Sequence, residues 1–134
     1  MLRGMSTVSY YTPDLPAAVE WYSDLLGTKP YFEQPGYAEF RVGDYEHELG
    51  LIDTMHAPPG HAIDPGGAIL YWHVDDVRAV RQRLLDKGAK ELEPVTERGH
   101  GFVTASVVDP FGNVLGIMQN PHYLEMLGSS APAS

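Results

Sequence analysis

The sequence predicts an α+β fold: two tandem βαβββ modules, with curved mixed sheets around a cavity and helices on the outer face. Three observations carry this. The chain echoes itself at offsets of 61 to 66 residues. Two segments carry apolar residues at three- and four-residue spacing behind an Asp cap. The remaining apolar residues alternate with period two, so each sheet has one apolar face.

The echoes come in one order. Asp14-Leu15 and Asp76-Val77 stand 62 residues apart, and Leu26-Gly27 and Lys87-Gly88 stand 61 apart. Gly36-Tyr37 returns as Gly101-Phe102 after 65 residues, and Leu49-Gly50-Leu51-Ile52 as Leu115-Gly116-Ile117-Met118 after 66. A duplicated module that gained a few loop residues gives this slow drift.

Residues 7–11 are β-rich and open module one. Asp14 then caps a helix, because its carboxylate accepts an amide hydrogen of the first turn. Pro16 sits in that turn, where its missing N–H costs little. Leu15, Ala18, Val19, Tyr22, Leu25 and Leu26 form the apolar stripe, and Gly27 closes it in a left-handed conformation. Strands follow at 37–42, where Ala38, Phe40 and Val42 oppose Tyr37, Glu39 and Arg41, and at 48–51, where Leu49 and Leu51 oppose Glu48 and Gly50. Module two repeats the plan. Leu70, Trp72 and Val74 oppose Ile69, Tyr71 and His73. Asp76 caps a helix with Val77, Val80, Leu84 and Leu85 as its stripe and Gly88 as its stop. Val103, Ala105 and Val107 oppose Phe102, Thr104 and Ser106, and Leu115 and Ile117 oppose Val114, Gly116 and Met118.

The second face of each sheet mixes polar and aromatic groups. Curled inward, it encloses a semi-polar cavity suited to a small ligand. Left open, it is a solvated face of the kind antiparallel sheets often carry. Tyr37, Tyr71, Phe102 and Met118 are costly to leave in water, which favours the cavity. The organisation is one domain over 1–127, with module one at about 5–53, a Pro/Gly-rich linker at 54–67 and module two at about 68–120. The stretch 128–134, of Gly, Ser, Ala and Pro, reads as a flexible tail.

Composition narrows the function. The 134 residues are 43% hydrophobic and 20% charged, as in an ordinary globular domain. With no cysteine, disulfides, zinc ribbons and thiol nucleophiles are excluded. A net charge of -9 argues against binding a nucleic-acid backbone and favours cationic partners. No apolar run is long enough to span a bilayer. Met1 to Ser6 do not read as a signal peptide, so the expected location is the cytoplasm.

Two βαβββ modules, the turn Asp109-Pro110-Phe111-Gly112-Asn113, the Glu20-Trp21-Tyr22 helix ending in Leu-Gly, and Val74-Asp75-Asp76-Val77 together resemble the vicinal oxygen chelate superfamily. That group includes glyoxalase I, bleomycin resistance proteins and extradiol dioxygenases. The resemblance implies up to four metal-ligand positions. Two lie seven residues before each capping Asp, here Thr7 and Ile69. One lies four residues after the turn Gly112, here Gly116, and its echo in module one is Gly50. Gly and Ile offer no donor and a neutral Thr hydroxyl is a poor sole ligand, so no metal and no other cofactor is expected. A divalent metal held by Glu48 and His73 from the two modules is the alternative.

The candidate ligand-binding residues are Thr7, Ser9, Tyr37, Glu39, Arg41, Glu48, Tyr71, His73, His100, Phe102, Thr104, Ser106 and Met118. Glu48 and His73 are the candidate proton-transfer groups. Glu39, Arg41 and Glu48 could equally form an ion-pair network, and His73 a hydrogen-bonded wall residue. His100, between two glycines, either touches ligand at the rim or turns the chain. His47, His56, His61 and His122 read as surface or loop. No Ser/His/Asp arrangement or phosphate loop is evident.

The expected function is a metal-free small-molecule binding protein similar to the bleomycin resistance branch, sequestering a drug or metabolite. Its guest is expected to be cationic or aromatic. That branch also implies a homodimer. The alternative is a lyase, isomerase or dioxygenase related to glyoxalase I, with a non-standard or absent metal site. A third reading is a regulatory module whose aromatic face is covered by another protein.

Overall fold

The computed structural model describes residues 1–62 and 64–130, the side chains of 129 and 130 excepted. The chain divides into two compact units, Met1–Ile63 and Asp64–Ser134. The first contains β1 (Thr7–Thr12), α1 (Leu15–Leu26), β2 (Phe32–Gln34), β3 (Tyr37–Val42) and β4 (His47–Asp53). The second contains β5 (Leu70–His73), α2 (Val77–Asp86), β6 (Lys90–Gly99), β7 (Phe102–Val108), β8 (Val114–Gln119) and α3 (Pro121–Ser130). The strand orders are β1-β4-β3-β2 and β5-β8-β7-β6, so both units have the expected βαβββ plan. In each, the first strand pairs parallel with the last, and the other pairings are antiparallel.

Both first helices start as their caps dictate. The Asp14 carboxylate accepts the Ala17 N–H at 3.1 Å, and that of Asp76 accepts the Ala79 N–H at 3.1 Å. Gly27 ends α1 at φ 70°. The helices pack on one face of their sheets. In the first unit Ala18 and Tyr22 are buried with Tyr10, Ala38, Phe40, Leu49 and Leu51. In the second Val77 and Leu84 are buried with Ala105, Val107, Leu115 and Ile117. Each large buried side chain contributes about 1.5–3 kcal/mol.

Period two did not locate every strand. β2 has three residues and β6 contains Pro94 and register shifts against β7. Both are edge strands, where a missing N–H and irregular pairing are tolerated. Ile69, expected in a strand, lies just before β5 and is exposed. A short 3-10 helix, Thr54–His56, begins the linker. α3 runs to Ser130, into the 128–134 stretch read as a tail. Residues 131–134 lie outside the described residues.

Candidate functional site

The face left uncovered by each helix carries the residues named from the sequence, His100 excepted. In the first unit the register sets three rows across β1, β4 and β3: Thr7, Glu48, Arg41; then Ser9, Gly50, Glu39; then Tyr11, Ile52, Tyr37. The Tyr37 hydroxyl donates to Glu39 Oε1 at 2.8 Å. The Thr7 hydroxyl donates to Glu48 Oε1 at 3.4 Å. The expected ion-pair network does not form. Arg41 instead places its guanidinium carbon 3.8 Å from the centre of the Tyr31 ring, a cation–π contact. Among the described residues neither carboxylate makes an ion pair with a cationic side chain. Burial first, then the hydrogen bond to Glu39 and the charges of Glu39 and Glu48, push the Tyr37 hydroxyl up to about 12. Tyr37 is thus a neutral phenol beside two carboxylates.

In the second unit the rows across β5, β8 and β7 are Tyr71, Gly116, Ser106 and His73, Met118, Thr104. Phe102 shares their face by parity. His73 is held on one edge: its Nδ1 accepts the backbone N–H of Asn120 at 3.1 Å. Its ring stacks on Tyr123 with centroids 4.5 Å apart. A neutral imidazole that accepts at Nδ1 carries its proton on Nε2. Nε2 lies 3.4 Å from Asp75 Oδ1, outside hydrogen-bond alignment. Arg98 Nε donates to the Thr104 hydroxyl at 3.0 Å. His100 turns the chain: it and Gly101 have φ of 55° and 86°, the positive values a two-residue hairpin requires. Its side chain is exposed.

Sequence reasoning missed Asn120 and Tyr123, which position His73. Asn120 followed by Pro121 is a helix-start signal that could have found them. It also missed a repeated aromatic contact. Tyr11 and His61 meet edge to face at 4.4 Å, and their counterparts 62 residues on, His73 and Tyr123, stack. His56 is likewise more than a loop residue, because it seats on Gly36, where a Cβ would lie 2.5 Å from its Nε2. His47 lies beside Tyr45, and His122 is exposed.

The metal positions implied by the resemblance do not suit a metal. Gly116 is roofed by an aromatic ring: a Cβ there would stand 2.6 Å from Tyr71 Cδ1. At Gly50 a Cβ would stand 3.0 Å from Ser9 Oγ and 3.1 Å from Tyr37 Cε1. Side chains of tyrosine thus fill the space a carboxylate ligand would need. Thr7 donates to Glu48, and Ile69 has no donor atom. Glu48 and His73, the alternative pair, lie in separate units. Among the described residues no three His, Asp or Glu side chains are grouped to hold a metal ion. Nor is any described helix long and apolar enough to cross a membrane.

Comparison with known proteins agrees with this fold. The chain is similar to a glyoxalase-related enzyme from Fulvimarina pelagi, at 23% identity over 90% of each chain and a TM-score of 0.72. It is similar to a glyoxalase/bleomycin resistance protein from Catenulispora acidiphila, at 22% identity over 88% of this chain and 100% of the other, with a TM-score of 0.61. It is also similar to a glyoxalase/bleomycin resistance protein/dioxygenase family enzyme from Burkholderia phytofirmans, at 18% identity over 85% and 96% of the chains, with a TM-score of 0.66. Among curated proteins none matches. The family profile matches residues 4–117, and the chain belongs to the glyoxalase/bleomycin resistance protein/dioxygenase superfamily.

Proposed function

We propose that this protein binds a small aromatic molecule without a metal and without making or breaking a bond in it. One observation carries the reading. Glycine stands at both last-strand ligand positions, and a tyrosine ring lies against each, Tyr37 at Gly50 and Tyr71 at Gly116. A site built this way offers flat π surface rather than a chelating set. In the first unit the surface sits beside Glu39 and Glu48, and Arg41 stacks on Tyr31 rather than ion-pairing with either among the described residues, which favours a cationic guest. The cytoplasmic location and the homodimer belong to the same reading and rest on composition and resemblance alone.

The test joins metal analysis to a ligand screen. Untagged protein is incubated with zinc, nickel, iron or manganese, desalted, and its metal content measured by mass spectrometry. The expected result is far less than one equivalent retained, followed by thermal stabilisation with cationic aromatic compounds. Stoichiometric retained metal overturns the reading and makes lyase and dioxygenase assays the next step.

A further inference from the structure

The two uncovered faces differ in hydrogen-bonding character. That of the first unit is rich in acceptors. That of the second presents donors, and two of them make no hydrogen bond among the described residues. Ser106 is 1% exposed, and its Oγ has no hydrogen bond among the described residues. The His73 side chain is 9% exposed, and its Nε2 has none either. Register puts both on one face: Ser106 is across from Gly116, and His73 is across from Met118, two residues further along β8. A buried polar atom without a partner costs about 1–3 kcal/mol, so two on one face call for an explanation. Neither serves the packing of α2, which lies on the opposite side.

Chemistry narrows the partner. The Asn120 amide occupies Nδ1, so neutral His73 can only donate from Nε2. The partner atom there must be an acceptor. Asp75 Oδ1, 3.4 Å from Nε2, places negative charge beside that position and disfavours an anion. Tyr71 and Met118 supply apolar surface between the two polar atoms. Resting on the small-molecule reading above, we propose that the uncovered face of the second unit takes a neutral aromatic carbonyl compound. Its carbonyl oxygen accepts from His73 Nε2, the Ser106 hydroxyl hydrogen-bonds a second polar group where the guest carries one, and the ring lies against Tyr71 and Met118. Asn120 and Tyr123 are positioning residues that hold the imidazole in its donor tautomer.

Two substitutions separate the donor from the docking role. His73→Asn retains an acceptor near Nδ1 for the Asn120 amide and removes the donor. His73→Gln retains a donor near Nε2 and gives up the Asn120 contact. The probes are acetophenone, benzoate and benzyltrimethylammonium, titrated into the full chain and followed by two-dimensional NMR. Acetophenone is expected to shift the His73 Nε2–H and the β7 amides, and to bind more tightly than benzoate. His73→Asn should weaken it about tenfold, the loss of one hydrogen bond, while His73→Gln weakens it less and Ser106→Ala, whose partner group acetophenone lacks, changes it by less than about twofold. A merely structural His73 predicts the reverse order, with His73→Gln the worse, and that result overturns the proposal. Binding of benzyltrimethylammonium without acetophenone overturns this inference and leaves the small-molecule reading standing. Binding of none of the three overturns both.

Discussion

The ring of Tyr71 lies over Gly116 so closely that a Cβ at 116 would sit 2.6 Å from Cδ1 and 2.9 Å from Cε1. The carbonyl of Leu70, also 2.9 Å away, closes the same space from the backbone. Gly116→Ala should therefore destabilise the protein by about 1–3 kcal/mol through overpacking. In a Tyr71→Ala background the cost should fall but not vanish, because the Leu70 carbonyl remains. Urea unfolding of the four variants in a double-mutant cycle gives the coupling. Equal costs in both backgrounds would show that the ring is not the obstacle.

Tyr37 should ionise near 12 rather than at its ordinary 10.0. A wild-type minus Tyr37→Phe absorbance titration isolates it. Glu39→Gln keeps an acceptor for the hydroxyl but removes a charge, so the transition should move down. Between pH 10 and 12 the folded protein keeps a proton that the unfolded chain releases. The stability from this group is therefore complete below the ordinary phenol pKa and is lost as pH rises through that window.

Asp14 and Asp76 make the same cap bond, each at 3.1 Å. Asp14→Ala and Asp76→Ala should each cost about 1 kcal/mol. Thermal unfolding of each single variant checks this. A loss in only one would mean that the two caps are unequal in energy despite equal geometry.

Asp109 is buried at the β7–β8 turn, where its Oδ1 accepts the amides of Phe111 and Asn113, each at 2.9 Å. Asp109→Ala should cost about 1–3 kcal/mol and speed hydrogen exchange at Phe111 and Asn113. Asp109→Asn, which keeps the acceptor oxygen, should cost less. Unchanged exchange in Asp109→Ala would place the strength of this turn elsewhere.

Much of the architecture was legible in the linear chain. Caps act over three residues, helical stripes over four and strands over two, so Asp14, Gly27, Phe40 and Ile117 announce their roles locally. Parity also placed Tyr71 and Ser106 on the uncovered face before any contact was known. Edge strands β2 and β6 were harder, because a strand paired on one side needs no strict alternation. Helix α3 was missed because its start signal is a single Asn-Pro step and its sequence then turns to Gly and Ser.

The sequence alone determined the duplicated βαβββ plan, the face each residue occupies and the lack of donors at Gly50, Ile69 and Gly116. Tertiary structure decided which side chains use those faces. Tyr37 reaches Gly50 from β3, whereas Tyr71 reaches Gly116 from β5, so the same glycine echo is covered from different strands. Arg41 turns to Tyr31 instead of its cross-strand neighbour Glu48, and Asn120, 47 residues after His73, fixes the imidazole's proton. Side-chain direction and hydrogen-bond partners between distant residues follow from packing in three dimensions, whereas period and capping follow from chain geometry over one or two turns.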